Sequence, residues 1–345
     1  MRTLRLLAAS VVLSSLVGLA ACGGGGGYGG GGGSMPTGAA GSKAFAADSP
    51  HFAIGSLINP NPGPGAIMVN RTISGTYSQL SNNIGSLALD TANDRLYVGN
   101  GTSILVFNGA SQANGDPFVD RVITSSPAIG NTGSLFLDTA SDRLYVGDTN
   151  VGVRVYNNAS TANGSTASAR LIAGGYGVTF AIQGVAVDTT KNILYVSAST
   201  PSLASSWQIL VFGNADTVNG STGPTRSIIP TQTTTNFPVG GISLDAANDR
   251  LYVSSSQGGT FVMVFDTASM ANGATLPTKS IVFPTALSSV TLDAVNNRLY
   301  AVSPGASGAI YILNNASGAS GTVSATGVLV PANGSFTAFA VNPNP

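Results

Sequence analysis

One pattern returns along most of this chain at intervals of about fifty residues. It reads GSLALDTANDRLYVGN at 85–100, GSLFLDTASDRLYVGD at 133–148, GVAVDTTKNILYVSA at 184–198, GISLDAANDRLYVSS at 241–255 and SVTLDAVNNRLYAVS at 289–303. Asp90, Asp138, Asp188, Asp245 and Asp293 keep the register, at spacings of 48, 50, 57 and 48 residues. A repeat of this length is one supersecondary unit that cannot bury its own faces, so successive units must stack. The repeat therefore constrains the fold far more than the length of 345 residues, which by itself is compatible with one domain or several.

Within a unit the hydrophobic pattern has the short period of strands. In the first complete unit, strand A covers 86–90, a turn 91–94, strand B 95–99 and strand C 104–108. A loop with Ala110-Ser111 and Asn114-Gly115 leads to strand D at 119–124. Strand C recurs as GVRVYN, QILVFG, FVMVFD and AIYILN at 152–157, 208–213, 261–266 and 309–314. All 14 acidic residues are Asp, none is Glu, and 45 residues are Gly. Few strong helix formers and many turn formers agree with strands joined by tight turns. Four strands per unit, apolar on both faces, make a propeller blade.

The ends of the chain supply a sixth blade. FTAFAVN at 336–342 matches strand A, with Asn342 in the place of the repeated aspartate. No strand B follows it. Residues 43–48 match strand B, 51–58 strand C and 69–73 strand D. One C-terminal strand and three N-terminal strands complete a blade and close the ring, which removes its open edges. The fold class expected is all-β: a six-bladed β-propeller of four-stranded antiparallel blades over 43–345, with a body expected to be monomeric. With its Asp at the end of strand A and its LYV strand B, this body resembles the six-bladed propellers that include NHL-type and TolB-like domains, and the YVTN-repeat propellers. That resemblance implies architecture; one fold hosts many activities.

The N-terminus has a different character. Arg2 and Arg5 precede an apolar run, Leu6 to Leu19, that ends in Leu19-Ala20-Ala21-Cys22. The run is too short to span a bilayer and has the order of an export signal. Cys22 is the only cysteine, so no disulfide forms within one chain. Residues 1–22 resemble a bacterial lipoprotein precursor. The resemblance implies removal of 1–21 and acylation of Cys22, where several acyl chains give the stable anchoring that one does not. Gly23 in place of Asp points, by the same resemblance, to the outer membrane. Residues 23–42 are mostly glycine and read as a flexible tether, with a mean reach on the order of 25 Å. The organisation expected is a signal peptide at 1–21, a lipidated cysteine and tether at 22–42, and the propeller at 43–345.

Several repeated residues have a structural reading beside a functional one. Asp90, Asp138, Asp188, Asp245 and Asp293, with Asn342, are weak candidates for a ring of metal ligands, since carboxylates are hard oxygen donors. An Asx turn that fixes the A–B hairpin explains one Asp per blade more simply. Asp94, Asp142 and Asp249 stand next to Arg95, Arg143 and Arg250 and read as local hairpin pairs of small value. Arg71, Arg121, Arg170, Arg226 and Lys279 recur in strand D, where a charge discourages edge pairing. Tyr97, Tyr145, Tyr195, Tyr252 and Tyr300, with Phe45, hold one position of strand B and read as packing between blades.

The irregular loops are where binding is expected. The A–B and C–D loops are monotonous; the B–C and D–A loops on the opposite rim vary. That rim carries His51, Tyr77, Tyr176, Phe180, Trp207 and Phe237, and aromatics there suit a sugar or apolar ligand. The formal charge of +0, with 8% charged residues, gives no reason to expect nucleic acid. No nucleophile elbow, P-loop or CxxC occurs, and one histidine cannot build a His-rich metal site. Propeller hydrolases of the lactonase type hold calcium with a Glu that this chain lacks. The function expected is a non-catalytic, membrane-anchored binding or scaffold module of the envelope, without cofactor, whose partner is a protein or glycan. A cation-dependent hydrolase and a purely structural assembly factor are the alternatives.

Overall fold

The computed structural model describes residues 44–59, 66–67, 69–174, 181–199, 207–232, 235–236, 238–256, 258–305, 308–331 and 335–342. They form six sheets, each built on four antiparallel strands. Blade 1 is the composite one: Phe336–Val341 is its strand A, followed by Ala44–Asp48, Ala53–Leu57 and Arg71–Ser74. Ala44 pairs with Val341 and Phe45 with Ala340, so the last strand of the chain is stitched to the first. Blades 2 to 6 begin with Ile84–Asp90, Thr132–Asp138, Ala181–Asp188, Val239–Asp245 and Ser289–Asp293 as their inner strands. Each inner strand touches the next, and that of blade 6 touches blade 1. The expected six-bladed ring and its closure are observed, with strand boundaries displaced by only a residue or two.

Glycine at the head of strand A lets the inner strands approach closely. A Cβ on Gly85 would stand 2.4 Å from the Thr132 carbonyl oxygen of the next blade, and one on Gly133 would stand 2.7 Å from that of Ile182. At Gly85 and Gly133 glycine is thus a spacing device, while Gln183, Ser288 and Thr337 hold the same position in other blades.

Six hydrophobic clusters fill the ring, one at each boundary between blades. The aromatic of strand B in one blade lies in the cluster shared with the next: Tyr97 packs with Leu135 and Leu144, Tyr145 with Val185 and Leu194. Phe45, Tyr97, Tyr195, Tyr252 and Tyr300 are fully buried. An aromatic of this size removes 150–250 Å² from water, about 4–6 kcal/mol of transfer free energy before entropy is charged. Packing between blades is therefore the main source of cohesion.

The outer strands differ from the free edges expected. In every blade, strand D pairs in parallel with a piece of the C–D loop of the following blade. Arg121–Thr124 takes Gly164–Ser165, Arg226–Gln232 takes Gly273–Thr275, Lys279–Val282 takes Gly321–Thr322, and Gly327–Leu329 takes Ala66–Ile67. Single bridges, Ile73 to Gly115 and Ile172 to Gly220, do the same for blades 1 and 3. Gly115, Gly164, Gly220 and Gly273 have φ between 65° and 75°, which glycine adopts without cost. Each preceding asparagine accepts a backbone N–H from the neighbouring strand D: Asn114 from Thr72, Asn163 from Val122, Asn219 from Leu171.

The basic residues of strand D serve the same clasp. Arg121 donates to the carbonyls of Ala159 and Ala162, Arg170 to those of Ala215 and Val218, and Arg226 to that of Ala271. Lys279 reaches the Ser317 carbonyl. The expected role as charges that repel edge pairing is corrected: the edge is paired, and the cation neutralises carbonyl dipoles at the turn that pairs it.

Candidate functional site

The rim of A–B turns and C–D loops is a lattice of internal hydrogen bonds. Asp138 Oδ1 accepts the N–H groups of Ala140 and Ser141, and Asp188 Oδ1 those of Thr190 and Lys191. Asp90, Asp245 and Asp293 accept both the backbone N–H and the side-chain amide of Asn93, Asn248 and Asn296. These are Asx turns. The five carboxyls are almost fully buried, and each accepts hydrogen bonds from its own hairpin; Asp188 Oδ2 is left with only Lys191 Nζ 3.8 Å away. Among the described residues, no three His, Cys, Asp or Glu side chains come together as a metal site.

The second acid of the turn has a role that its sequence neighbour concealed. Asp94, Asp142 and Asp249 reach away from the adjacent arginine and accept the N–H and hydroxyl of Ser111, Ser160 and Ser269 in the C–D loop. Blade 4 reverses the chemistry: its turn residue is Asn192 and its loop residue Asp216, still hydrogen-bonded to each other. All these turn residues have φ near 50–58°, a region that Asp and Asn tolerate better than other residues. Burial works against the charge of Asp249, yet Ser269 and Lys191 outweigh it and hold the carboxyl below its ordinary value. This rim is built to hold its shape.

The opposite rim rests on a shared support with varied chemistry. The equivalent position at or next to the end of strand B is, in successive blades, Asp48, Asn100, Asp148, Ala198, Ser255 and Ser303, and in four of them it holds the D–A connection, whereas Ser255 bonds Phe261 of its own strand C. Asp48 accepts the Ser335 N–H, Asn100 those of Ser81 and its hydroxyl, and Asp148 the N–H of Gly130. Ser303 accepts the hydroxyl of Thr285. Blade 3 adds a buried cation: Arg154 of strand C donates to Asp148 at 2.7 Å, to Ser125 Oγ and to the Ala128 carbonyl. A charge inside the otherwise apolar GVRVYN strand is the sequence signal for this cluster.

Of the rim residues singled out in the sequence, His51, Tyr77 and Trp207 lie among the described residues, whereas Tyr176, Phe180 and Phe237 lie outside them, as does Cys22. His51 sits in the B–C connection of blade 1, half exposed, with Nδ1 3.0 Å from Asp48 Oδ1. Trp207 precedes strand C of blade 4 and packs, partly buried, on the cluster shared by blades 4 and 5. Tyr77 is 54% exposed and stacks on Phe118, itself 71% exposed, with ring centroids 4.3 Å apart. Its N–H donates to Asp116, and its carbonyl accepts from Val119. The C–D loop of blade 2 thus climbs the outer wall to meet the D–A loop of blade 1. The three described rim residues, His51, Tyr77 and Trp207, belong to different blade connections and do not line a common pocket.

Along the axis, the inner strands line two cavities that share wall residues. The one toward the A–B turns has a volume of about 400 Å³, and the one toward the variable rim about 90 Å³. No charged side chain lines either.

No protein-family model matches the chain, and no curated protein matches it. Among solved structures, a chain in the crystal structure of a nidogen/laminin complex is similar, with a TM-score of 0.58 and 15% sequence identity. The likeness covers 87% of this chain and 97% of that one. At that identity it is a likeness of fold. The class defined by fold and surface is the closed six-bladed β-propeller, an architecture compatible with a binding or scaffold role.

Proposed function

We propose that this protein is a non-catalytic binding or scaffold module of a bacterial cell envelope, held to the outer membrane by acyl chains on Cys22. Its glycine-rich tether lets the ring present the B–C and D–A loops to an envelope protein or glycan. The observation that carries this reading is the position at the end of strand B. There the side chain changes from Asp to Asn, Ala or Ser between blades, above a body whose turns and clasps repeat almost unchanged. Varied loops on an invariant rigid ring are a binding design. By contrast, each strand-A aspartate accepts hydrogen bonds that fix its own hairpin, so a cation-dependent hydrolase would draw its ligands from the groups that hold its scaffold.

The test is photo-crosslinking in intact cells from position 207 on the variable rim and from position 270 on the opposite one. Recovery of one discrete partner from position 207 alone supports the reading; equal labelling from both positions overturns it. For the anchor, Cys22→Ala is expected to release the protein from the membrane fraction and to remove the acyl mass from the N-terminal peptide. An unmodified Cys22 peptide in the wild type would end that part of the proposal.

A further inference from the structure

The charges of the ring are sorted by rim. Every described lysine and arginine except Arg154 is the first residue of a strand B or strand D or, as Lys191, sits in an A–B turn. Strands B and D both start at the rim of A–B turns and C–D loops, so the cations collect there. Arg154 is buried and paired with Asp148. The variable rim therefore offers the exposed carboxylate of Asp116 and, among the described residues, no exposed lysine or arginine. A surface that carries one sign of charge favours a partner that carries the other.

Asp116 stands at the outer corner of blade 1. Ala53 pairs with Ser74, which brings Phe52 and Gly75 to the same end of strands C and D. The Asp116 carboxyl packs on Gly75 and leaves no room there for a Cβ. Its Oδ1 accepts the N–H groups of Tyr77 and Ser78, while Oδ2 accepts no hydrogen bond among the described residues. His51, next to Phe52, is already bonded to Asp48. The same corner carries three exposed aromatic rings, those of Phe52, Tyr77 and Phe118. The fold does not ask for them. Phe52 is 47% exposed with φ at 51°, a conformation that costs a bulky residue free energy. The B–C connections of blades 2, 5 and 6 put glycine at their positive φ, at Gly101, Gly258 and Gly305. The C–D loop residue equivalent to Phe118 is Ala167 in blade 3 and Gly223 in blade 4. Exposed aromatics gathered where the repeat needs none mark an interaction surface.

We infer that this corner is a docking site for an arginine side chain of a protein partner, with the guanidinium stacked on the Tyr77–Phe118 pair and bonded to Asp116 Oδ2. The inference rests on the rim-binding reading above and names the partner's chemistry: an envelope protein with an exposed arginine, rather than a glycan. A planar guanidinium both lies flat on an aromatic face and bonds a carboxylate, whereas an ammonium is a compact, strongly hydrated point charge. A neutral sugar brings hydroxyl donors to the carboxylate but no charge, and hydrogen bonds between ionised partners are the stronger ones.

The experiment uses the full chain carrying Cys22→Ala. The probes are a blocked glycine-arginine-glycine tripeptide, its lysine and citrulline counterparts, and maltotriose, each titrated while backbone amide shifts are followed by NMR. The arginine peptide is expected to shift the Tyr77 and Ser78 amides saturably and to bind about fivefold tighter than the citrulline peptide, as an exposed cation–π contact and a screened ion pair allow. Asp116→Asn keeps the Oδ1 acceptor and Phe118→Ala removes an exposed ring, so both variants are expected to stay folded and to lose about fivefold in affinity. Met270→Ala, on the opposite rim, is expected to lose nothing. Added sodium chloride is expected to weaken the arginine peptide on the otherwise unaltered chain, a readout that needs no further variant. A flat titration, lysine or citrulline binding as tight as arginine, maltotriose shifting the same amides as strongly, or unchanged affinity in Asp116→Asn would overturn the inference. Equal crosslinking from positions 207 and 270 would remove the rim reading without touching this titration, whereas a flat titration removes this site alone.

Discussion

Arg154 and Asp148 form an ion pair 2.7 Å long in which neither side chain is more than 2% exposed. The carboxylate also caps the N–H groups of Gly130 and Asn150, and the guanidinium spans to Ser125 and Ala128. The pair therefore ties strand B and strand C of blade 3 to the connection arriving from blade 2. In blade 2 the neutral Asn100 holds the equivalent connection by accepting from Ser81 and donating to the Gln79 carbonyl.

Removing one partner of such a pair strands the other. Arg154→Leu, which installs the residue type of Leu105 and Leu210, is expected to cost about 3–5 kcal/mol by leaving Asp148 buried and unpaired. The double variant Asp148→Asn with Arg154→Leu, built on the pattern of blade 2, is expected to recover most of that loss. Urea unfolding of the two variants checks the sign of the coupling.

The clasp between blades has its own expected signature. Asn163→Ala removes one acceptor and should cost about 1 kcal/mol, while Arg121→Met removes a charged donor to two carbonyls and should cost about 1.5–3 kcal/mol. Hydrogen exchange is expected to accelerate at Val122, whose N–H is freed by the first change, before it does at Val106 in the ring interior. Equal acceleration at both would show that the clasp has no local role.

Gly133→Ala tests the spacing of the inner strands. Its Cβ would stand 2.7 Å from the Ile182 carbonyl oxygen, and the backbone there cannot move without displacing two blades. A loss of about 1–3 kcal/mol is expected from overpacking. Gly223→Ala, where a Cβ meets nothing within 4 Å, is the control and should be close to neutral. Chemical denaturation of the two variants gives the comparison.

Stability is expected to form a plateau in pH with a loss at each end. Burial raises the phenols of Tyr156, Tyr195, Tyr252 and Tyr300 above their ordinary value of 10.0. The folded ring keeps protons that the unfolded chain releases above pH 10, so this contribution is complete below pH 10 and is lost as pH rises through the folded values. On the acid side, burial opposes the charge of Asp249 and Asp266, but hydrogen bonds from Ser269 and Lys191, and from Arg250 and Thr278, outweigh it and hold both below 3.8. Their contribution is complete above 3.8 and is lost as pH falls through the folded values. The melting temperature followed from pH 2 to 12 checks both limits; a steady slope between pH 5 and 9 would contradict this assignment.

The sequence carried the ring because the ring is written in local, repeated terms. Period-two strands, an Asx residue at each first turn and a buried aromatic in each strand B are properties that one blade shows on its own. The composite blade was legible because Phe336–Val341 and Ala44–Asp48 each carry an incomplete copy of the same pattern. The roles of Asp94 and Arg121 were not legible. Each sits beside a plausible local partner in the chain, yet bonds a loop 17 or about 40 residues away. For Asp94, sequence proximity favours the wrong neighbour because hairpin geometry directs the turn side chain outward, across to the C–D loop; Arg121 reads as an edge charge because the segment that pairs its strand comes from the next blade.

What the sequence determined by itself, then, is the blade, the number of blades and how they close, because burying two apolar faces per repeat leaves a closed ring as the answer. Only the tertiary structure decided what the outer edges and the axis are. A parallel strand donated by the next blade, and cavities walled by six inner strands, exist only once six units stand in a circle. Both depend on distances between units, which no single repeat encodes.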